Sequence, residues 1–214
     1  MTREKQGGYD RVIKILGIAG SPRRNGNTAL LLDEALKGAR EAGASINKIL
    51  VRNREINPCL GCGNCLKTGI CQQEDGMGRI YNLTTSSHGI IVAAPIYFNS
   101  LNAQTKALID RHQCVWARKA LLGEDVTDPE TRHARRGLFL STAGADDHRV
   151  FDGALRVMDL FLDVLDIKYY ERLLFFRIGQ KGAIKDHPTA LRNARSAGEH
   201  LVIEIARSLG ENVD

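Results

Sequence analysis

Four of the chain's five cysteines, Cys59, Cys62, Cys65 and Cys71, fall in one short stretch at the spacing C-x2-C-x2-C-x5-C. Sulfur donors at this density, with Gly61, Gly63 and Gly69 among them, let one loop wrap a small thiophilic body. Structural zinc sites usually pair two C-x2-C knuckles across a longer gap. Consecutive two-residue gaps instead resemble the run that holds [4Fe–4S] cubes in bacterial ferredoxins. The pattern favours iron and sulfide, with zinc and unliganded, redox-active thiols as the other readings. Cys114 stands apart from the run and reads as a small buried hydrophobe.

A second constellation, Gly20-Ser21-Pro22-Arg23-Arg24-Asn25-Gly26-Asn27-Thr28, lies between an apolar run and a helical one. An open α/β sheet binds anions at such a place, beyond the carboxyl end of a strand and on the free N–H groups of a helix start. The hydroxyls of Ser21 and Thr28, the Asn27 amide and the Arg23 charge add donors, and the glycines admit a close approach. A triphosphate loop needs G-x4-G-K-[ST]; here Asn27 replaces the lysine and the glycine gap is a residue too long. A dinucleotide fingerprint needs G-x-G-x-x-G and an acid near the end of the second strand, where this chain has Arg52. What remains is a ligand with a single terminal phosphate, and FMN fits that description. A well-capped helix after a glycine turn is the bland alternative.

Two further segments belong to the same edge. Pro95-Ile96-Tyr97-Phe98-Asn99 follows an apolar run, where the proline ends pairing and the aromatic residues become available to a flat ring. Backbone amides and the Asn99 side chain there suit the polar edge of an isoalloxazine. Ser141-Thr142-Ala143-Gly144 ends another run with small donors.

The elements that must position these groups alternate between Ile-, Val- and Leu-rich runs and helical periods, the pattern of parallel strands joined by crossover helices. Strands are predicted at Val12 to Ala19, Ile46 to Val51, Gly89 to Ala94, Gly137 to Ser141 and Lys168 to Phe176. Helices are predicted from Thr28 to Ala42, Gly76 to Thr85, Leu101 to Trp116, Arg149 to Leu165 and Thr189 to Leu209. The Gly123 to Arg136 stretch reads as an exposed surface loop, and Asp110 and Arg111 as charges paired or capping locally at a helix end. Residues 1–10 read as a flexible N-terminus, and residues 11–214 as one domain carrying the 57–75 cysteine-rich loop.

Composition narrows the function. At 214 residues and 43% hydrophobic the chain suits a single core, and its apolar runs are too short to span a bilayer. Without an apolar stretch behind its first basic residues, the N-terminus does not read as a secretory signal, so a cytoplasmic, reducing setting is expected. A net charge of +5 is spread among acids without aromatic interleaving, which argues against nucleic acid and leaves room for an acidic protein partner. No histidine or carboxylate group forms a nucleophile or metal constellation, so hydrolase chemistry is not indicated.

Together GSPRRNGNT, APIYFNSLNAQTKALIDR and STAG, in this order, resemble the NADPH-dependent FMN reductase branch of the flavodoxin-like superfamily. The resemblance runs from residue 12 to about 205. It implies a three-layer α/β sandwich, a five-stranded parallel sheet of order 2-1-3-4-5 with the cysteine loop after strand 2, and a homodimer or homotetramer. It implies Ser21, Arg23, Asn25, Asn27 and Thr28 around the FMN phosphate, Pro95, Ile96, Tyr97, Phe98 and Asn99 along the ring, and Thr142, Ala143 and Gly144 at its far edge. The cysteine run is similar to that of the iron-sulfur flavoproteins in this family, which implies a [4Fe–4S] cluster on Cys59, Cys62, Cys65 and Cys71 and a ferredoxin-like electron donor. Two rival readings remain: an NAD(P)H-dependent FMN or quinone reductase without a cluster, and a non-catalytic thiol redox sensor.

Overall fold

A strand whose successive side chains are all apolar must be covered on both faces. The first strand meets that need: Ile15 and Ala19 enter one core, Leu16 and Ile18 the other, and all four are buried. In the computed structural model, which describes residues 11–211, the strands are β1 (Lys14–Ala19), β2 (Ser45–Leu50), β3 (Gly89–Tyr97), β4 (Ser100–Leu101), β5 (Arg136–Thr142) and β6 (Lys168–Phe175). The expected flexible segment 1–10 lies outside the described residues.

Five strands run parallel in the order β2-β1-β3-β5-β6, and β4 folds back antiparallel onto β3. The expected five-stranded sheet of order 2-1-3-4-5 is therefore corrected to six strands with parallel order 2-1-3-5-6. The added strand is only two residues long, too short to show a period. Pairing of β3 with β5 does stop at Pro95 opposite Thr142, but β3 continues and turns, with Ile96 opposite Leu101 and Tyr97 opposite Ser100.

The helices are α1 (Asn27–Glu41), α2 (Asn64–Thr68), α3 (Met77–Ser86), α4 (Ala103–Asp110), α5 (Gln113–Ala120), α6 (Asp152–Val164) and α7 (Ala190–Ser208). Those of α1 and α7 pack their apolar stripes over Ile15, Ile91, Leu138 and Leu140. On the other face α3, α4, α5 and α6 cover Leu16, Ile18, Ile90, Val92 and Phe139. No described helix is long and apolar enough to cross a membrane.

Two sequence expectations are corrected. The single helix from Leu101 to Trp116 is two helices, broken at Arg111 and His112. There the His112 N–H shortens its bond to the Ile109 carbonyl (2.9 Å), while its ring Nδ1 stands 2.9 Å from the Leu108 carbonyl. The stretch from Gly123 to Arg136 is not a wholly exposed loop, because Val126, Thr127, Thr131, Ala134 and Arg135 are buried. Arg135 reaches inward and donates to the carbonyls of Ser87 (2.9 Å), Thr84 (2.6 Å) and Leu165, tying the ends of α3 and α6 to β5.

Helices α1 and α7 approach so closely that glycine is required at the crossing. A Cβ on Gly198 would lie 1.9 Å from the Ala35 carbonyl oxygen, and one on Gly38 2.0 Å from that of Arg195. Backbone cannot yield as a flexible side chain does. Gly198→Ala is expected to cost about 3 kcal/mol, read as a lower urea midpoint with unchanged m-value.

Candidate functional site

Adjacent parallel strands deliver their exits to one edge, and the three loops singled out in the sequence meet there. After β1 the chain makes a tight turn: the Arg23 N–H donates to Ser21 Oγ (3.2 Å), the Gly26 N–H to the Arg23 carbonyl (3.2 Å), and Asn25 takes a left-handed conformation at φ 53°. Helix α1 then begins with no side-chain cap and no acid in its first turn. Its leading N–H groups are left for something else. Thr28 is 2% exposed, and its Oγ1 is buried without a hydrogen-bond partner. Such an orphan beside an uncapped helix start fits a phosphate, which offers acceptors for each of these donors.

Not every expected donor points the same way. The Asn27 Nδ2 donates to the Gln180 carbonyl (2.8 Å), and its Oδ1 accepts from the N–H groups of Gly182 (2.8 Å) and Ile184 (3.3 Å). Its side chain thus anchors the loop after β6, and only its backbone N–H remains for a ligand. Arg23 Nη1 reaches the Gly179 carbonyl at 3.4 Å, against the same loop. That loop is also bonded to the exit of β5, through Ile178 N–H to the Ala143 carbonyl (2.8 Å). Sequence reading missed this wall, and it missed Asn102, whose buried Nδ2 donates to the Gly20 carbonyl (2.8 Å) while Oδ1 accepts from Thr105 (2.8 Å). A Cβ on Gly20 would stand 2.0 Å from Thr105 Oγ1, so glycine is needed there.

The exit of β3 is a two-residue hairpin turn, with Phe98 (φ 49°) and Asn99 (φ 56°) both left-handed. Phe98 is fully exposed and Tyr97 partly so, while Pro95 and Ile96 are half-buried. A phenylalanine in this conformation is strained. The hairpin rests on α6, where a Cβ on Gly153 would come within 2.5 Å of the Asn99 carbonyl oxygen. At the exit of β5, Thr142 and Ala143 are buried and Gly144 is exposed beside Gly179.

The cysteine run occupies a separate position, between β2 and α3 on the α5 side. Gly63 (φ 74°) and Gly69 (φ 69°) bracket α2, supplying turns that other residues resist. Cys59 and Cys62 are exposed, and Cys65 and Cys71 are half-buried. All four, together with buried Cys114, line a cavity of about 670 Å³ walled by Trp116, Leu160 and Phe161. The donor set is soft and suits iron and sulfide. Among the described residues, however, no three His, Cys, Asp or Glu side chains are grouped closely enough to hold a metal ion. The thiols share a cavity without converging. Burial raises the Cys65 pKa above its usual value, with Cys114, Cys71 and Cys59 adding to the shift.

The neck of this loop is closed by a buried ion pair. Arg111, with a side chain 0% exposed, meets Asp75, 3% exposed, through Nη1–Oδ2 (2.5 Å) and Nη2–Oδ1 (3.1 Å). Arg111 also donates to the carbonyls of Asn57 (2.9 Å) and Gln73 (3.4 Å), and Asp75 accepts from the N–H groups of Asn57 and Met77, each at 3.0 Å. Burial alone would raise the Asp75 carboxyl, but Arg111 and these N–H donors outweigh it and hold it below its usual value. The local pairing expected of Arg111 is thus corrected, and only Asp110 pairs locally, with Lys106 (2.5 Å).

The sequence profile of the NADPH-dependent FMN reductases matches residues 13–171. The chain belongs to this family. Within it, the chain is 39% identical over 112 residues to an iron-sulfur flavoprotein of Archaeoglobus fulgidus, covering 52% of this chain and 51% of that one. It is 41% identical over 99 residues to an iron-sulfur flavoprotein of Methanocaldococcus jannaschii, covering 46% and 51%. The chain spans about half the length of the curated relatives it matches. Its fold is similar to that of an NAD(P)H:quinone oxidoreductase from Methanothermobacter marburgensis, with TM-score 0.65 and 15% identity over 89% of this chain and 96% of the other. It is also similar to an FMN-dependent NADH-azoreductase from Bacillus anthracis solved with FMN, with TM-score 0.63 and 14% identity over 89% and 100%.

In this FMN reductase family member, His112 is a pH-sensitive part of the cavity wall. Burial lowers its pKa from 6.5 to about 4. The unfolded chain therefore binds the extra proton first, so stability present above pH 6.5 falls as pH drops toward 4. His112→Gln is expected to lose up to about 3 kcal/mol less over that window than the parent protein, measured by urea midpoints at successive pH values.

Proposed function

We propose that this protein is an FMN-dependent oxidoreductase that passes electrons between a one-electron carrier of ferredoxin type and an acceptor, using FMN and a [4Fe–4S] cluster. In this reading residues 11–214 form one flavodoxin-like domain working in the cytoplasm as a homodimer or homotetramer. The observation that carries the FMN assignment is the pairing of an uncapped α1 N-terminus with the orphaned hydroxyl of Thr28, in a chain of the FMN reductase family. The cluster assignment is supported by four thiols lining one cavity and by the names of the relatives.

When bound, the flavin supplies two-electron chemistry and the cluster supplies single-electron transfer. The chain's own work is to hold and orient them. The first-turn N–H groups of α1, Ser21 and Thr28 bind the phosphate, and Arg23 adds charge beside it. Asn25 gives that loop its left-handed turn, and Asn27 braces it against the loop after β6. Pro95, Ile96, Tyr97, Phe98 and Asn99 form one rim of the ring site, and Thr142, Ala143 and Gly144 the other. Cys59, Cys62, Cys65 and Cys71, which line one cavity, would hold the cluster.

A reductase fed by NAD(P)H without a cluster is the second reading, and it is favoured by thiols that do not converge. Iron, sulfide and flavin analysis of anaerobically purified protein separates the two. About four irons and one FMN per chain are expected. Flavin without iron would select the second reading, and neither, after reconstitution, would overturn the proposal.

Thr28→Val tests the phosphate site. With the orphan hydroxyl removed, the FMN-free protein is expected to be at least as stable, while FMN affinity drops roughly tenfold to a hundredfold. Flavin-fluorescence titration and thermal melts of the FMN-free protein report the two effects.

A further inference from the structure

We propose that the Asp75–Arg111 pair is the positioning lock of the thiol loop, keeping its neck closed so that the cysteines stay over one cavity. The inference rests on the cluster reading above for its purpose, but not for its geometry. The segment from Cys59 to Cys71 is held internally by short-range bonds: Asn64 and Thr68 to the Ile70 carbonyl and to each other. Its fixed points lie just outside the first and last cysteines. Asn57 gives its carbonyl to Arg111 and its N–H to Asp75, and Gln73 gives its carbonyl to Arg111 and its side chain to the Pro58 carbonyl (3.1 Å). One guanidinium therefore grips both ends of the loop, and only a planar, forked cation does so while also meeting a carboxylate bidentately.

The grip is tied to the cavity as well. The Arg111 carbonyl accepts from Tyr81 Oη (3.0 Å) and from Cys114 Sγ (3.5 Å), and Cys114 and Arg111 both line the cavity. Arg111 Nε is buried and has no partner among the described residues. The neck thus fixes the two ends of the loop, and its interior is left to local bonds.

The test uses Asp75→Asn and Arg111→Lys, the second keeping the charge but losing the fork. Two rates are measured: iodoacetamide alkylation of each cysteine in iron-free protein, resolved by mass spectrometry, and iron release from the holoprotein to a ferrous chelator. Both variants are expected to speed alkylation of Cys65 and Cys71 and to speed iron release by about tenfold or more, as outer-shell changes at metal sites do. FMN affinity should stay within about twofold, because no side-chain bond of Asp75 or Arg111 reaches the phosphate loop. Alkylation rates matching the parent protein in both variants would overturn the lock, and so would a parallel loss of FMN affinity, which marks a general structural defect. If the protein never carries iron, the alkylation rates alone decide the lock, so failure of the cluster reading is seen separately. Should a single variant not fold, Asp75→Asn combined with Arg111→Met leaves no charge buried alone and carries the same two measurements.

Discussion

Because β1, β3 and β5 run side by side in the same direction, their exits fall on one edge of the sheet, and each return is made by a helix across a face. The ligand edge and the two cores are consequences of that single pairing rule. It places a helix start directly after β1, so an anion site comes with the architecture. It also gives each face its own helices, and the cysteine loop emerges beside the α3–α6 layer. The strand-exit edge and the cysteine cavity thus draw on different helices of one sheet.

The charges obey a second constraint. Arg111 and Asp75 are both out of water, and removing one partner from such a pair costs about 3–5 kcal/mol, because the other is then stranded. Arg135 solves the same problem without a carboxylate, spending its donors on three carbonyls at helix and strand ends. Both arginines stabilise junctions between elements where free backbone oxygens would otherwise be buried alone.

Much of this was legible in the sequence. The central strands announce themselves as unbroken runs such as Ile90, Ile91 and Val92, since a strand covered on both faces has no polar side. The glycine turn after β1 was legible because few residues besides glycine accept its close approaches. What escaped depends on partners far apart in the chain. Asp75 and Arg111 are 36 residues apart, and Asn102 and Gly20 are 82 apart, and a lone charge or amide gives no sign of its partner. The break between α4 and α5 escaped for the same reason: Leu108 and Ile109 keep the helical period, and the interruption comes from the tertiary demand on Arg111 and His112. Asn27 shows what donor type alone does not reveal, for its side-chain amide is bonded to the loop after β6, more than 150 residues along the chain.

Trp116 is the chain's one tryptophan, and it forms part of the wall facing the cysteines. Indole emission depends on the polarity, mobility and light-absorbing groups around the ring. The molecule therefore carries its own optical gauge at the thiol cavity, selectively excitable at the red edge of protein absorption. Changes inside that cavity can be followed in the intact protein without attaching any label.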